Sequence, residues 1–88
     1  MDLNDLRSKA RTLEPVIRIG KFGLNDGVYI EIEKLLKKRK LIKIKILNNC
    51  SIEDHHEMVN QILIKTHAVL ISHTGNMFCI YRESSVFR

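Results

Sequence analysis

Four consecutive residues combine backbone freedom, a mobile charge and an aromatic face: Gly20, Lys21, Phe22 and Gly23, within "IGKFGLND". Glycines reach positive φ and, lacking Cβ, let another surface approach the main chain closely. A helical pattern begins directly after them. The first turn of a helix offers unpaired N–H groups and a partial positive charge, which together suit phosphate. Lys21 would add a full charge there, and an exposed Phe22 would give an unpaired base a surface to stack on. The plain alternative is a strand-to-helix turn that uses glycine for geometry alone. On these four residues both readings stay open, and Phe22 by itself leans towards a core plug.

The remaining basic residues divide in the same way. The run Lys37 to Lys40 either contacts a polyanion or complements the end of a helix dipole. Lys37 stands roughly 20 Å along the helix from the glycines at 1.5 Å per residue. One phosphate cannot serve both, whereas a duplex or folded RNA could, and Lys34 is the nearer second contact. Lys43 and Lys45 either hold an RNA backbone on an open sheet face or deter edge-to-edge pairing; the second is slightly preferred. Arg18 is undecided between these options. Arg7, Lys9 and Arg11 read as solvated groups that add long-range attraction, and Arg82 as structural or phosphate-facing.

Several chemistries find no support. Cys50, His55, His56, His67, His73 and Cys79 follow none of the usual zinc spacings, and the adjacent histidines would point to different sides of a helix. No metal or cofactor is expected. Paired carboxylates, a nucleophile elbow and a Gly-Lys-Ser/Thr sequence are all missing, so no enzyme is expected. A net charge of +5 over 88 residues and a pI of about 9.5 favour a polyanionic partner, nucleic acid or an anionic membrane surface. No apolar stretch approaches the roughly 20 residues that span a bilayer. "MDLNDLRSKA" lacks the basic start and apolar core of an export signal. Reduced thiols and a cytoplasmic location are the expectation.

The elements that must position these residues are legible from periodicity. Leu3, Leu6, Ala10 and Leu13 form one helical stripe over residues 2–13, and Pro15 ends it. Val16 to Ile19 reads as a short strand. From Asp26 to Arg39 an apolar face of Val28, Tyr29, Ile32, Leu35 and Leu36 predicts a core-packing helix capped by Asn25. Ile30 points away from that face, and packing against the first helix accounts for it. Leu41 to Leu47 alternates as a strand should. Ser51 with Asp54 resembles a capping box for a third helix to about Lys65, with Met58, Val59, Ile62 and Leu63 buried. "HAVLIS" and "MFCIYR" make a hairpin across Thr74, Gly75 and Asn76, with Tyr81 a core residue. The order is α-β-α-β-α-β-β, in one domain over residues 1–88. Two helical crossovers imply parallel pairing of the strands they join. The result is a two-layer α/β sandwich with a mixed four-stranded sheet.

Three segments, "LEPVIRIGKFGLNDGV", "RKLIKIKI" and "TGNMFCIYR", resemble in order and spacing the CRM domain. This is the chloroplast RNA splicing and ribosome maturation module, whose single-domain prokaryotic members are YhbY-like. The resemblance runs from the Leu3 helix to Arg82. It implies a fold similar to the C-terminal domain of bacterial translation initiation factor three. It also implies association with large-subunit precursors, or with group II introns in plants, and RNA contact through the GxxG loop Gly20–Gly23. Asn25 stands where Thr or Ser is common and caps equally well. Asn76 follows Gly75 where a basic residue is usual, so any contact that residue makes is missing here.

The expected protein is a non-enzymatic RNA binder without a cofactor, acting on ribosomal RNA in large-subunit assembly. Amides of Gly20 to Gly23 and Lys21 would clamp the RNA backbone. Asn25, Phe22, Lys34, Lys37, Lys38, Lys43, Lys45 and Arg82 complete the expected contacts. No membrane or small-molecule partner is expected, and the chain is expected to be a monomer. The rival is a protein-interaction adaptor docking through Ile30 onto a ribosomal protein or an RNA-processing enzyme.

Overall fold

The computed structural model describes residues 2–50 and 54–83. Its elements are α1 (Leu3–Thr12), β1 (Ile17–Ile19), α2 (Asp26–Arg39), β2 (Leu41–Ile46), α3 (His55–Thr66), β3 (Val69–Thr74) and β4 (Met77–Tyr81). Each helix opens on a side-chain cap that takes up an orphan amide. Asp2 accepts from Asp5 N at 2.9 Å, Asn25 from Val28 N at 2.9 Å and Asp54 from Glu57 N at 3.1 Å. The cap of α3 is therefore Asp54. Ser51, expected in that role, lies outside the described residues.

The strands are ordered β1-β2-β4-β3. β1 and β2 pair in parallel, and β4 pairs antiparallel with both β2 and β3. The expected parallel pairing thus holds across α2 and fails across α3. β2 and β3 run in the same direction, but β4 is inserted between them. Burial explains the choice: Phe78, Cys79 and Ile80 of β4 are all buried, which requires cover on both faces. β3 carries exposed Val69 and Leu70 and the polar Ser72, His73 and Thr74, and it tolerates the edge.

One sheet face holds the main core. Ile17, Ile19, Ile42, Ile44, Ile46, Phe78 and Ile80 pack beneath Ile32 and Leu36 of α2 and Met58, Val59 and Ile62 of α3. On the opposite face Leu6 and Ala10 of α1 meet Ile71 and Cys79, with Leu41 and Tyr81 partly buried alongside. α1 and α2 are therefore on opposite sides of the sheet. Ile30 does not pack on the first helix, as the periodicity suggested; it is 56% exposed on α2.

Candidate nucleic-acid interface

The glycine turn is built outward from the end of β1. The carbonyl of Ile19 accepts from Leu47 N at 2.8 Å, which fastens the strand end to β2. Gly23 N then donates to the Gly20 carbonyl at 2.9 Å and closes a four-residue turn. Both glycines have a local reason. Gly23 sits at φ +63°, where a Cβ is strained. A Cβ on Gly20 would come within 3.3 Å of Leu47 Cδ1 and 3.4 Å of Asn49 Oδ1.

With the glycines held inward, the two residues between them form the tip. Lys21 is exposed and, among the described residues, forms no ion pair. Phe22 is 80% exposed, and the Lys21 ammonium lies 6.0 Å from its ring centroid. Phe22 is thus no core plug: the turn that buries Gly23 turns the phenyl ring to solvent. The Gly23 amide is spent inside the turn, so it cannot join the expected main-chain clamp. Asn25 follows as the α2 cap, and its carbonyl accepts from Tyr29 N at 3.1 Å.

The basic residues expected at the site fall on two surfaces. Lys34, Lys37 and Lys38 are exposed on α2. The first two line a groove of about 330 Å³ with Tyr29, Ile30 and Lys65, where the Lys65 ammonium sits 5.2 Å from the Tyr29 ring centroid. Lys43 and Lys45 are half-buried on the other side of the sheet, the side that carries α1. β2 has a partner on each side, so guarding a free edge, the preferred sequence reading of these lysines, does not apply.

Arg82 is not available to a phosphate. It is 5% exposed, and its Nη1 donates to both Glu33 carboxylate oxygens, at 2.9 and 2.8 Å, and to the Thr66 carbonyl at 3.0 Å. It ties the end of β4 to α2 and α3. The signal was present in the strand: Arg82 has the parity of Phe78 and Ile80, hence the core side. Tyr81, on the other parity, is half-buried and donates to Glu83 Oε2 at 2.7 Å.

His56 and His73 approach edge-on at 5.2 Å between centroids, with Phe78 next to His73 at 6.0 Å. Among the described residues no group of three or more His, Cys, Asp or Glu side chains could hold a metal ion. Both thiols are free, and burial pushes that of Cys79 up from its ordinary pKa. No described helix is long and apolar enough to cross a membrane.

Residues 2–82 match the model of the CRS1/YhbY (CRM) domain. The chain belongs to this family. Among curated relatives, "Probable RNA-binding protein YqeI" of Bacillus subtilis is 37% identical over 79 residues, covering 90% of this chain and 81% of its own. An "RNA-binding protein" of Haemophilus influenzae is 34% identical over 79 residues, covering 90% and 79%. The solution structure of SAV1595 from Staphylococcus aureus superposes with a TM-score of 0.76 at 35% identity, covering 93% of this chain and 84% of that one. The fold described above is the CRM fold.

Proposed function

We propose that this CRM-family chain is a non-enzymatic RNA-binding protein that works as a cytoplasmic monomer on ribosomal RNA or large-subunit precursors during ribosome assembly. The observation that carries the reading is the exposed Lys21–Phe22 tip on a turn fixed by two glycines. The curated relatives named as RNA-binding proteins support the partner class. In mechanism, Lys21 meets a phosphate and Phe22 stacks on an unpaired base. Gly20 and Gly23 hold that tip out, and Asn25 fixes the start of α2 beside it. Lys34, Lys37 and Lys38 on α2, and Lys43 and Lys45 on the sheet, supply salt-sensitive attraction. Arg82 has no part in the contact surface.

The test is a double variant, Lys21→Glu with Phe22→Ala. Both side chains are exposed, so thermal unfolding is unchanged while affinity for RNA drops by at least about tenfold. A folded variant that binds as well as the parent rejects the loop assignment. With about four to six phosphate contacts, log affinity falls against log salt with a slope near −3 to −5. A flat dependence rejects the electrostatic mechanism.

A second reading has one observation in its favour, Ile30 exposed among Lys34, Lys37 and Lys65. As a protein-docking groove it predicts partners that stay bound after RNase treatment.

A further inference from the structure

We infer that the α1 side of the sheet is a second binding strip for a ribose-phosphate backbone, continuous with the glycine turn and reaching Arg7 and Arg11 of α1. The inference rests on the RNA reading above and gives the path the strand takes beyond the loop.

The ladder places residues of this face in rows. The row nearest the turn reads Arg18, Lys45, Met77, Thr74 from β1 to β3. The next contains Lys43, Cys79 and Ser72. α1 covers the apolar part of the face through Leu6 and Ala10 on Ile71, Cys79, Leu41 and Tyr81. The Arg18–Lys45 row is outside that cover, with Arg18 and Thr74 exposed and Lys45 half-buried. The row adjoins the turn: Arg18 is two residues from Gly20, and the β3–β4 turn closes the same end, Ile46 N donating to the Asn76 carbonyl at 2.7 Å.

Between α1 and the sheet runs a groove of about 390 Å³ whose polar lining is Arg7, Arg11, Lys43, Ser72 and Thr74, with no acidic side chain among the described lining residues. Guanidinium groups, an ammonium and two hydroxyls suit phosphate and sugar oxygens. Spacing is short throughout, about 5 Å between neighbouring strands and about 7 Å between Lys43 and Lys45 along β2.

Solvation alone does not explain this arrangement. Arg18 and Lys45 are neighbours across the parallel β1–β2 pair, and two like charges side by side repel. Lysine is also a poor strand former, yet two occupy a central strand. A polyanion lying along the row attracts both cations and offsets their mutual repulsion. Arg7 and Arg11, one turn apart on α1, continue the same positive line into the groove.

The experiment compares two charge-matched double variants, Arg7→Ala with Arg11→Ala and Lys34→Ala with Lys37→Ala. Each binds labelled single-stranded RNA of mixed sequence, about 6 or about 12 nucleotides long, a range typical of one single-strand-binding unit. All four side chains are exposed, and thermal melts verify folding. The parent binds the longer RNA more tightly than the shorter. The Arg7/Arg11 variant loses that gain, at least about fivefold, and its salt slope for the longer RNA falls by about 1 to 2. The Lys34/Lys37 variant, which removes general attraction from α2, weakens binding of both lengths alike and keeps the ratio between them. Equal loss in the two variants, or a full length gain in the Arg7/Arg11 variant, overturns the strip while the loop reading stands. If the Lys21/Phe22 variant also binds as the parent does, the RNA reading falls and takes the strip with it.

Discussion

Phe22 is the residue whose environment decides most. A phenyl ring 80% exposed gains little from folding, so its main contribution is to whatever covers it. Phe22→Ala is expected to leave the melting temperature unchanged and to weaken RNA binding by about 1–3 kcal/mol. Phe22→Tyr should retain the affinity, since a flat face is what stacking uses. Equal binding by all three proteins in a fluorescence titration excludes stacking. Arg82 is the opposite case, a charge kept from solvent by Glu33 and Thr66. Arg82→Ala leaves the Thr66 carbonyl and the Glu33 carboxylate without this donor. Glu33 is 39% exposed in its side chain, and water limits the damage to about 2–4 kcal/mol. Urea unfolding measures it, and RNA affinity of the folded fraction should not change.

At the scale of elements, regular segments were legible and their placement was less so. Asn25 and the Val28–Leu36 stripe predict α2 with the bounds observed, because a cap, a 3.6-residue period and an end charge agree over the same residues. The Ile42–Ile46 alternation predicts β2 equally well, since one of its faces is fully buried. What periodicity does not carry is the partner of each face. Leu6 and Ala10 show that α1 has a buried side, but nothing local says which side of the sheet receives it. The central position of β4 is likewise a property of its two-sided burial, not of its period. The turn shows the same division: the glycines mark it, but only the Gly23–Gly20 hydrogen bond, with Leu47 packed behind, sends Phe22 outward. Asn25→Ala is expected to cost about 1 kcal/mol by exposing the Val28 amide. RNA affinity should fall with it, because the first turn of α2 abuts the tip. A loss of stability with no loss of binding would separate the cap from the site.

Over the whole molecule, the far end from the turn is closed by a small polar cluster that gives stability a pH signature. The Lys40 ammonium lies 3.1 Å from Glu83 Oε1, and the Tyr81 hydroxyl donates to Glu83 Oε2 at 2.7 Å. The hydrogen bond from Tyr81, then that from Lys40, holds the Glu83 carboxyl below its ordinary value of 4.5. A carboxyl depressed by folding stabilises the fold above its unfolded pKa, and the contribution fades as pH drops through the folded value. Lys40 is raised above 10.5, first by its hydrogen bond to Glu83, and its contribution is present below that pH and fades as pH rises through the raised value. Tyr81, raised above 10.0 by the same carboxylate, adds to the alkaline limb with the same sign. The cluster therefore contributes in full between 4.5 and 10.0, and its contribution fades on either side of that window. All three groups are solvent-accessible, so the effect is small and is read as a difference between proteins. Glu83→Gln should melt lower than the parent by a constant margin between about pH 6 and 9. That margin should shrink as the parent's carboxyl is protonated below 4.5. A margin that persists at pH 3 would mean that packing by Glu83, and not its charge, holds this end of the sheet.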